Sequence, residues 1–226
     1  MYCDQYSITV KQYRRAVEEG STVVKVAVAN LKGGTGKTVS AFFLAAALTS
    51  HGRTLLVDCD PQGSALSWAE SAEEENGSLG FSVMGLPVRD VHRKLKGFES
   101  DFAHIVLDTP PGEIAITRSA LLAADTAVLP VPPTAIDLDR VMPTLELVAE
   151  IEPLNDLSFQ VLLTRVRRIS REARDARAVM KEMGLPVMAT EIPQLSFYSD
   201  AFGESVGASL GEYAQVATEL QAVVAA

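Results

Sequence analysis

Apolar and polar positions along this chain follow two alternating rhythms. Short runs rich in β-branched residues, the mark of strands buried on both faces, occur at Val23 to Ala29, Thr54 to Val57, Phe81 to Met84, Ala103 to Leu107, Thr126 to Val131, Phe159 to Leu163 and Pro186 to Glu191. Between them lie longer Ala- and Leu-bearing stretches that predict helices at Val39 to Ser50, Ser64 to Ser71 and Val88 to Leu95, and again near 114–123, 136–151, 170–183 and 210–224. Gly52 closes the first helix, and the acidic run Glu73-Glu74-Glu75-Asn76-Gly77 is expected as a loop. Strand and helix in regular alternation predict an α/β fold: one doubly wound, mainly parallel sheet with helices on both faces.

Length agrees with that pattern. The 226 residues suit one domain, expected over 21–226, with residues 1–20 as a polar leader. Apolar residues make up 47% of the chain, enough for a full core, yet the longest unbroken apolar stretch, Ala41 to Leu48, is far short of the roughly 20 residues of a membrane span. The leader carries Asp4, Lys11, Arg14, Arg15, Glu18 and Glu19 and has no secretory core, so a cytoplasmic location and no membrane partner are expected. Cys3 and Cys59 are the two cysteines, which excludes a disulfide framework and a thiolate metal cluster. The net charge of −9 excludes a uniformly basic surface, so any contact with nucleic acid must come from a local patch.

The first strand runs directly into Asn30-Leu31-Lys32-Gly33-Gly34-Thr35-Gly36-Lys37-Thr38. A phosphate chain needs backbone N–H donors at close range, which glycines permit, and the positive end of the following helix adds to the attraction. Gly33, Gly34, Thr35, Gly36, Lys37, Thr38 and Val39 are therefore the expected nucleotide contacts, with Lys37 reaching the terminal phosphates and Thr38 a Mg²⁺ ligand. Asp108 ends the apolar strand Ala103 to Leu107, as the carboxylate that holds the metal through its waters does in phosphoryl-transfer sites. Leu55-Leu56-Val57-Asp58-Cys59-Asp60-Pro61-Gln62-Gly63-Ser64 places two carboxylates, Asp58 and Asp60, at the end of the second strand, either of which could also cap the following helix or stabilise the Pro61-Gln62-Gly63 turn. Asp58 is a candidate for the metal shell or, alternatively, a cap for the following helix.

The glycine loop departs from the general phosphate-binding pattern, because Leu31 stands at the first glycine position and Lys32 follows it. In this it resembles the deviant Walker A motif of the ParA/MinD superfamily of P-loop ATPases, and is most similar to its small plasmid-type partition members. The resemblance spans roughly residues 24–209. It implies ATP and Mg²⁺ as cofactors, an ATP-dependent homodimer, Lys32 as the lysine that crosses to the partner's nucleotide, and Asp60 as the carboxylate facing the γ-phosphate, which would orient the attacking water and hold Mg²⁺-bound water. It also implies an adenine-binding loop at Glu191 to Leu195, including Pro193 and Gln194, above Leu163-Thr164-Arg165, with Thr164 where many relatives carry Asn.

Arg165, Arg167, Arg168, Arg171, Arg174, Arg177 and Lys181 gather seven of the twenty basic residues into one stretch of an acidic protein. Helical spacing puts Arg171, Arg174, Arg177 and Lys181 along one face. Such a face contacts DNA phosphates without reading sequence, or else pairs with Glu172, Asp175 and Glu182 on a solvated helix. With the resemblance, Arg167, Arg168, Arg171, Arg174, Arg177 and Lys181 become the expected nonspecific DNA surface, and a nucleoid-associated ATP state follows. The stretch Gly211 to Ala226 holds no Lys or Arg, unlike the basic tail of membrane-bound relatives. The sequence thus points to plasmid or chromosome segregation with a ParB-like centromere-binding partner. The alternative is a related ATPase that positions a protein cargo. A metal-cluster enzyme of the same superfamily would need paired cysteines.

Overall fold

A computed structural model of the protein describes residues 24–167, 171–207 and 209–225. The expected leader, residues 1–20, and Arg168 lie outside these residues. Six parallel strands form one sheet: β1 (Val24–Val28), β2 (Thr54–Asp58), β3 (Ser82–Gly85), β4 (His104–Asp108), β5 (Thr126–Val131) and β6 (Ser158–Leu163), in the spatial order β3-β2-β4-β1-β5-β6. The helices are α1 (Lys37–Leu48), α2 (Ser64–Asn76), α3 (Val91–Lys94), α4 (Ile114–Ala123), α5 (Ala135–Arg140), α6 (Met142–Asn155), α7 (Arg171–Glu182), α8 (Ser196–Asp200) and α9 (Tyr213–Ala225). No helix among the described residues is long and apolar enough to cross a membrane.

Strand residues point alternately to the two faces, and each face buries its own core. On one face Val26, Val28, Leu56, Val106 and Val128 meet α1, α2 and α9. On the other, Ala27, Leu55, Val57, Ile105, Leu107 and Leu129 meet residues of α3, α4, α6 and α7. The helix after the glycine loop is buried along nearly its whole length. Phe42 of α1 stacks on Trp68 of α2, centroids 4.1 Å apart, and Phe43 packs on Tyr198 and Tyr213. Aromatic pairs of this kind add about 1 kcal/mol each beyond the area they bury.

Register decides where the chemistry sits. Asp58 of β2 pairs laterally with Asp108 of β4, and Asp108 with Val28 of β1. Three neighbouring strands therefore end at one level, with two carboxylates beside the start of the glycine loop.

Several elements differ from the sequence reading. Residues 186–191 form no strand. Two isolated bridges, Val161 with Val187 and Val166 with Pro193, and the bond from Ile192 N–H to the Leu163 carbonyl at 2.9 Å join this outer segment to the sheet edge among the described residues. Pro186 and Pro193 have no N–H to offer a ladder. The acidic run Glu73-Glu74-Glu75 is helical, because Glu is a good helix former and the first breaker is Gly77, whose φ of 81° ends α2. The helix expected over 136–151 is two helices, α5 and α6, with Pro143 in the first turn of the second.

Candidate functional site

The glycine loop leaves β1 at its central position in the sheet and is anchored before it turns. The buried Asn30 donates from Nδ2 to the Pro130 carbonyl at 2.9 Å, and its Oδ1 accepts from the Lys32 amide at 2.9 Å. Leu31 N–H donates to the Thr144 hydroxyl at 3.0 Å, and the Leu31 carbonyl accepts from Gly112 at 2.9 Å. Gly34 and Gly36 stand at φ 76° and 94°, a region that costs a side chain steric energy, so these two positions need glycine. Gly36 is the residue from which α1 starts.

Lys37 is buried, and its ammonium donates to the Lys32 carbonyl at 3.0 Å. Burial lowers its pKa, while the Asp108 and Asp60 carboxylates nearby oppose that fall. A lysine drawn back against its own loop in a dry setting lacks enough counter-charge, which a phosphate would supply.

Asp108 is fully buried, and neither carboxylate oxygen has a hydrogen-bond partner among the described residues. Burial pushes its pKa up to about 7, drawn back in part by the Thr38 hydroxyl and the Lys37 ammonium. The Thr38 hydroxyl acts on that charge from outside good hydrogen-bonding geometry. A buried carboxylate left unpaired next to a hydroxyl is costly unless a cation completes it, and hard oxygen donors of this kind fit Mg²⁺.

Asp108 also makes stability depend on pH with a definite sign. Its folded pKa lies above the ordinary 3.8, so the native state holds the extra proton between these values, and stability falls as pH rises through that window. Without nucleotide or metal, Asp108→Asn should therefore gain melting temperature over the parent increasingly from about pH 5 to about pH 7, as thermal denaturation across a pH series will show.

Asp58, also fully buried, accepts from Asp60 N–H with Oδ1 and from Leu66 N–H with Oδ2, both at 3.0 Å. Burial raises its pKa and these amides lower it. The contacts support the capping role over the metal role. Asp60 Oδ1 accepts from Gln62 N–H at 2.9 Å, and its charge is felt at Lys37.

Lys32 forms an ion pair with Asp137 of α5, whose carboxylate is also bonded by the Thr134 hydroxyl. Thr134 caps α5 by accepting from Asp137 N–H. Sequence reasoning missed Asp137. The signature Thr-x-x-Asp after Pro132-Pro133 marks a helix start, but nothing local links it to a lysine 105 positions away.

Beside the loop, a cleft of about 720 Å³ is lined by Gly36, Val39, Thr164, Arg167, Pro193, Gln194, Tyr198 and Tyr213, among others. It brings together the expected Val39, Pro193 and Gln194. Thr164 donates to the Thr35 carbonyl at 2.9 Å, which ties the end of β6 to the glycine loop. A smaller cleft of about 390 Å³ joins Lys32, Gly34, Asp137, Arg165 and Arg167.

The basic stretch divides. Arg171, Arg174 and Lys181 are exposed on α7. Arg177 turns inward, donating to the Met188 carbonyl at 2.6 Å and pairing with Glu191 at 2.7 Å. Arg167 leans toward the cleft, with Nε donating to Gln194 at 3.3 Å. Arg177 thus turns away from the expected DNA face, while Arg167 stays exposed beside the cleft.

A glycine loop at a central strand, an orphaned carboxylate at the next strand's end and a cleft beside them define a P-loop nucleotide site. Residues 26–206 match the CbiA family, described as the CobQ/CobB/MinD/ParA nucleotide binding domain, and the chain belongs to this family as a ParA-like ATPase. It is 40% identical over 163 residues to maintenance of carboxysome distribution protein A from Gloeobacter kilaueensis, covering 71% of this chain and 72% of that protein. To the protein of the same name from Halothiobacillus neapolitanus it is 31% identical over 183 residues, covering 80% and 84%. The fold matches that of a Cyanothece McdA–ATP complex with a TM-score of 0.72 at 22% identity, over 90% of this chain and 96% of that one.

Proposed function

We propose that this chain is an ATP-hydrolysing positioning protein that forms a homodimer on ATP and distributes a protein cargo within the cell. The likeness to two carboxysome-distribution proteins, at 40% and 31% identity, carries the choice of cargo. Plasmid or chromosome segregation with a ParB-like partner, the leading reading of the sequence, takes second place.

In this reading the amides of Gly33 to Thr38 and the Lys37 ammonium grip the phosphates. Thr38 and Asp108 hold Mg²⁺, which when bound would shield the phosphate oxygens as charge moves between them. Asp60 orients the attacking water. Lys32 gives up Asp137 for the nucleotide of the partner subunit, where its charge stabilises the transferring phosphoryl group much as an arginine finger does. Adenine occupies the cleft beside Val39, Pro193 and Gln194. Exposed Arg171, Arg174 and Lys181 give the ATP dimer a salt-sensitive hold on nonspecific DNA, the track along which cargo is spread.

Complementation of a host strain lacking the chain tests this reading. The wild type should restore evenly spaced cargo foci. Arg171→Glu with Arg174→Glu should leave them clustered while ATP affinity of the purified variant is unchanged. Loss of a plasmid with cargo foci undisturbed in the deletion strain would favour segregation instead.

A further inference from the structure

The segment from Met188 to Glu191 lies outside the sheet edge and has little ladder of its own. Long side chains from two different helices hold it. From α7, Arg177 donates through Nη1 to the Met188 carbonyl at 2.6 Å, through Nη2 to the Ala189 carbonyl at 3.4 Å, and through Nε to Glu191 Oε1 at 2.8 Å. From α9, Glu219 accepts from Ala189 N–H at 2.8 Å and from Thr190 N–H at 2.7 Å, and it also accepts from the Thr190 hydroxyl. One side chain takes the segment's carbonyls and the other takes its amides.

The next residues form a wall of the large cleft. Ile192 N–H donates to Leu163 at 2.9 Å, Val166 N–H to Ile192 at 3.0 Å, and Gln194 N–H to Val166 at 2.8 Å. Ile192, Pro193 and Gln194 line the cleft, but neither Arg177 nor Glu219 does. Gly36 of the glycine loop and Val39 of α1 line the same cleft. The wall thus has two supports, the backbone bonds of Ile192 and Gln194 to the β6 edge and, just ahead of them in the chain, the Arg177–Glu219 clamp. The glycine loop instead rests on Asn30, Thr144 and Thr164, none of which the clamp touches.

We propose that Arg177 and Glu219 are positioning residues that hold the base-side wall of the nucleotide site. They act on affinity through the base and ribose alone and leave the phosphate grip untouched. The inference rests on the reading of the cleft as a nucleotide site. Without the clamp the wall samples several conformations, and apparent affinity drops by the fraction of molecules in which it is formed.

Calorimetric titration of the full chain with ADP and with inorganic tripolyphosphate, each with Mg²⁺, separates the two supports. In Arg177→Ala and Glu219→Gln the dissociation constant for ADP should rise about tenfold, the scale of one lost charge-assisted contact, while that for tripolyphosphate stays at the wild-type value. Arg177→Lys should recover part of the loss, because one ammonium cannot span the three acceptors. If Arg177→Ala does not fold, Glu219→Gln and Arg177→Lys carry the same comparison. Unchanged ADP affinity in the folded variants overturns the inference, as does an equal loss for both ligands. A wild-type chain that binds neither ligand would overturn the nucleotide reading itself.

Discussion

Changing Lys37 to alanine should lower affinity for ATP and ADP on the order of a hundredfold or more, the value of several charge-assisted contacts made in a desolvated site. The ammonium is buried, and two carboxylates, Asp108 and Asp60, oppose the effect of that burial on its charge. Removing it leaves those carboxylates facing the phosphates with one fewer cation between. Titration with a fluorescent ATP analogue reads the effect, and an affinity within threefold of the parent, roughly 0.6 kcal/mol, would remove Lys37 from the phosphate grip.

Changing Lys32 to alanine should act on a different step. Its ammonium pairs with Asp137 of its own chain, while its backbone carbonyl receives Lys37 and its amide is held by Asn30. The backbone contacts survive the substitution, so ATP affinity should change only a few-fold. Dimer formation on ATP should disappear, and turnover should fall by about a thousandfold if the lysine acts as a charge finger in trans. Light scattering and phosphate release measure both. Dimerisation and hydrolysis at parental levels would show that Lys32 does no more than brace α5.

The parts of the site written in contiguous residues were legible from the sequence. Asn30 to Thr38 is one segment between a strand and a helix, and Asp108 ends a strand, so pattern and chemistry coincide. The paired strands other than β3 were legible for the same reason, since buried parallel strands are near-continuous apolar runs, whereas β3 lies part-exposed at the sheet edge. Segment 186–191 was not, because an apolar run with prolines at 186 and 193 looks like a strand until its lack of donors is counted.

Side-chain pairings across the chain left no local trace. Lys32 meets Asp137 because β1 and β5 are neighbours in the sheet, and Arg177 turns to Glu191 because α7 packs beside the outer segment. The helical periodicity that put Arg177 on the basic stripe was correct about spacing. It could not reveal that one guanidinium of the row would find three acceptors inside. The basic stretch was real as composition and mixed in its exposure, with Arg171, Arg174 and Lys181 outward and Arg177 paired inward.

The most direct measurement is the mass of the wild-type chain in solution by sedimentation velocity with saturating Mg·ATP and, separately, with Mg·ADP. The mass should double with Mg·ATP and remain that of one chain with Mg·ADP. A chain that stays monomeric with ATP bound would rule out the nucleotide-driven dimer and, with it, the cross-subunit role of Lys32.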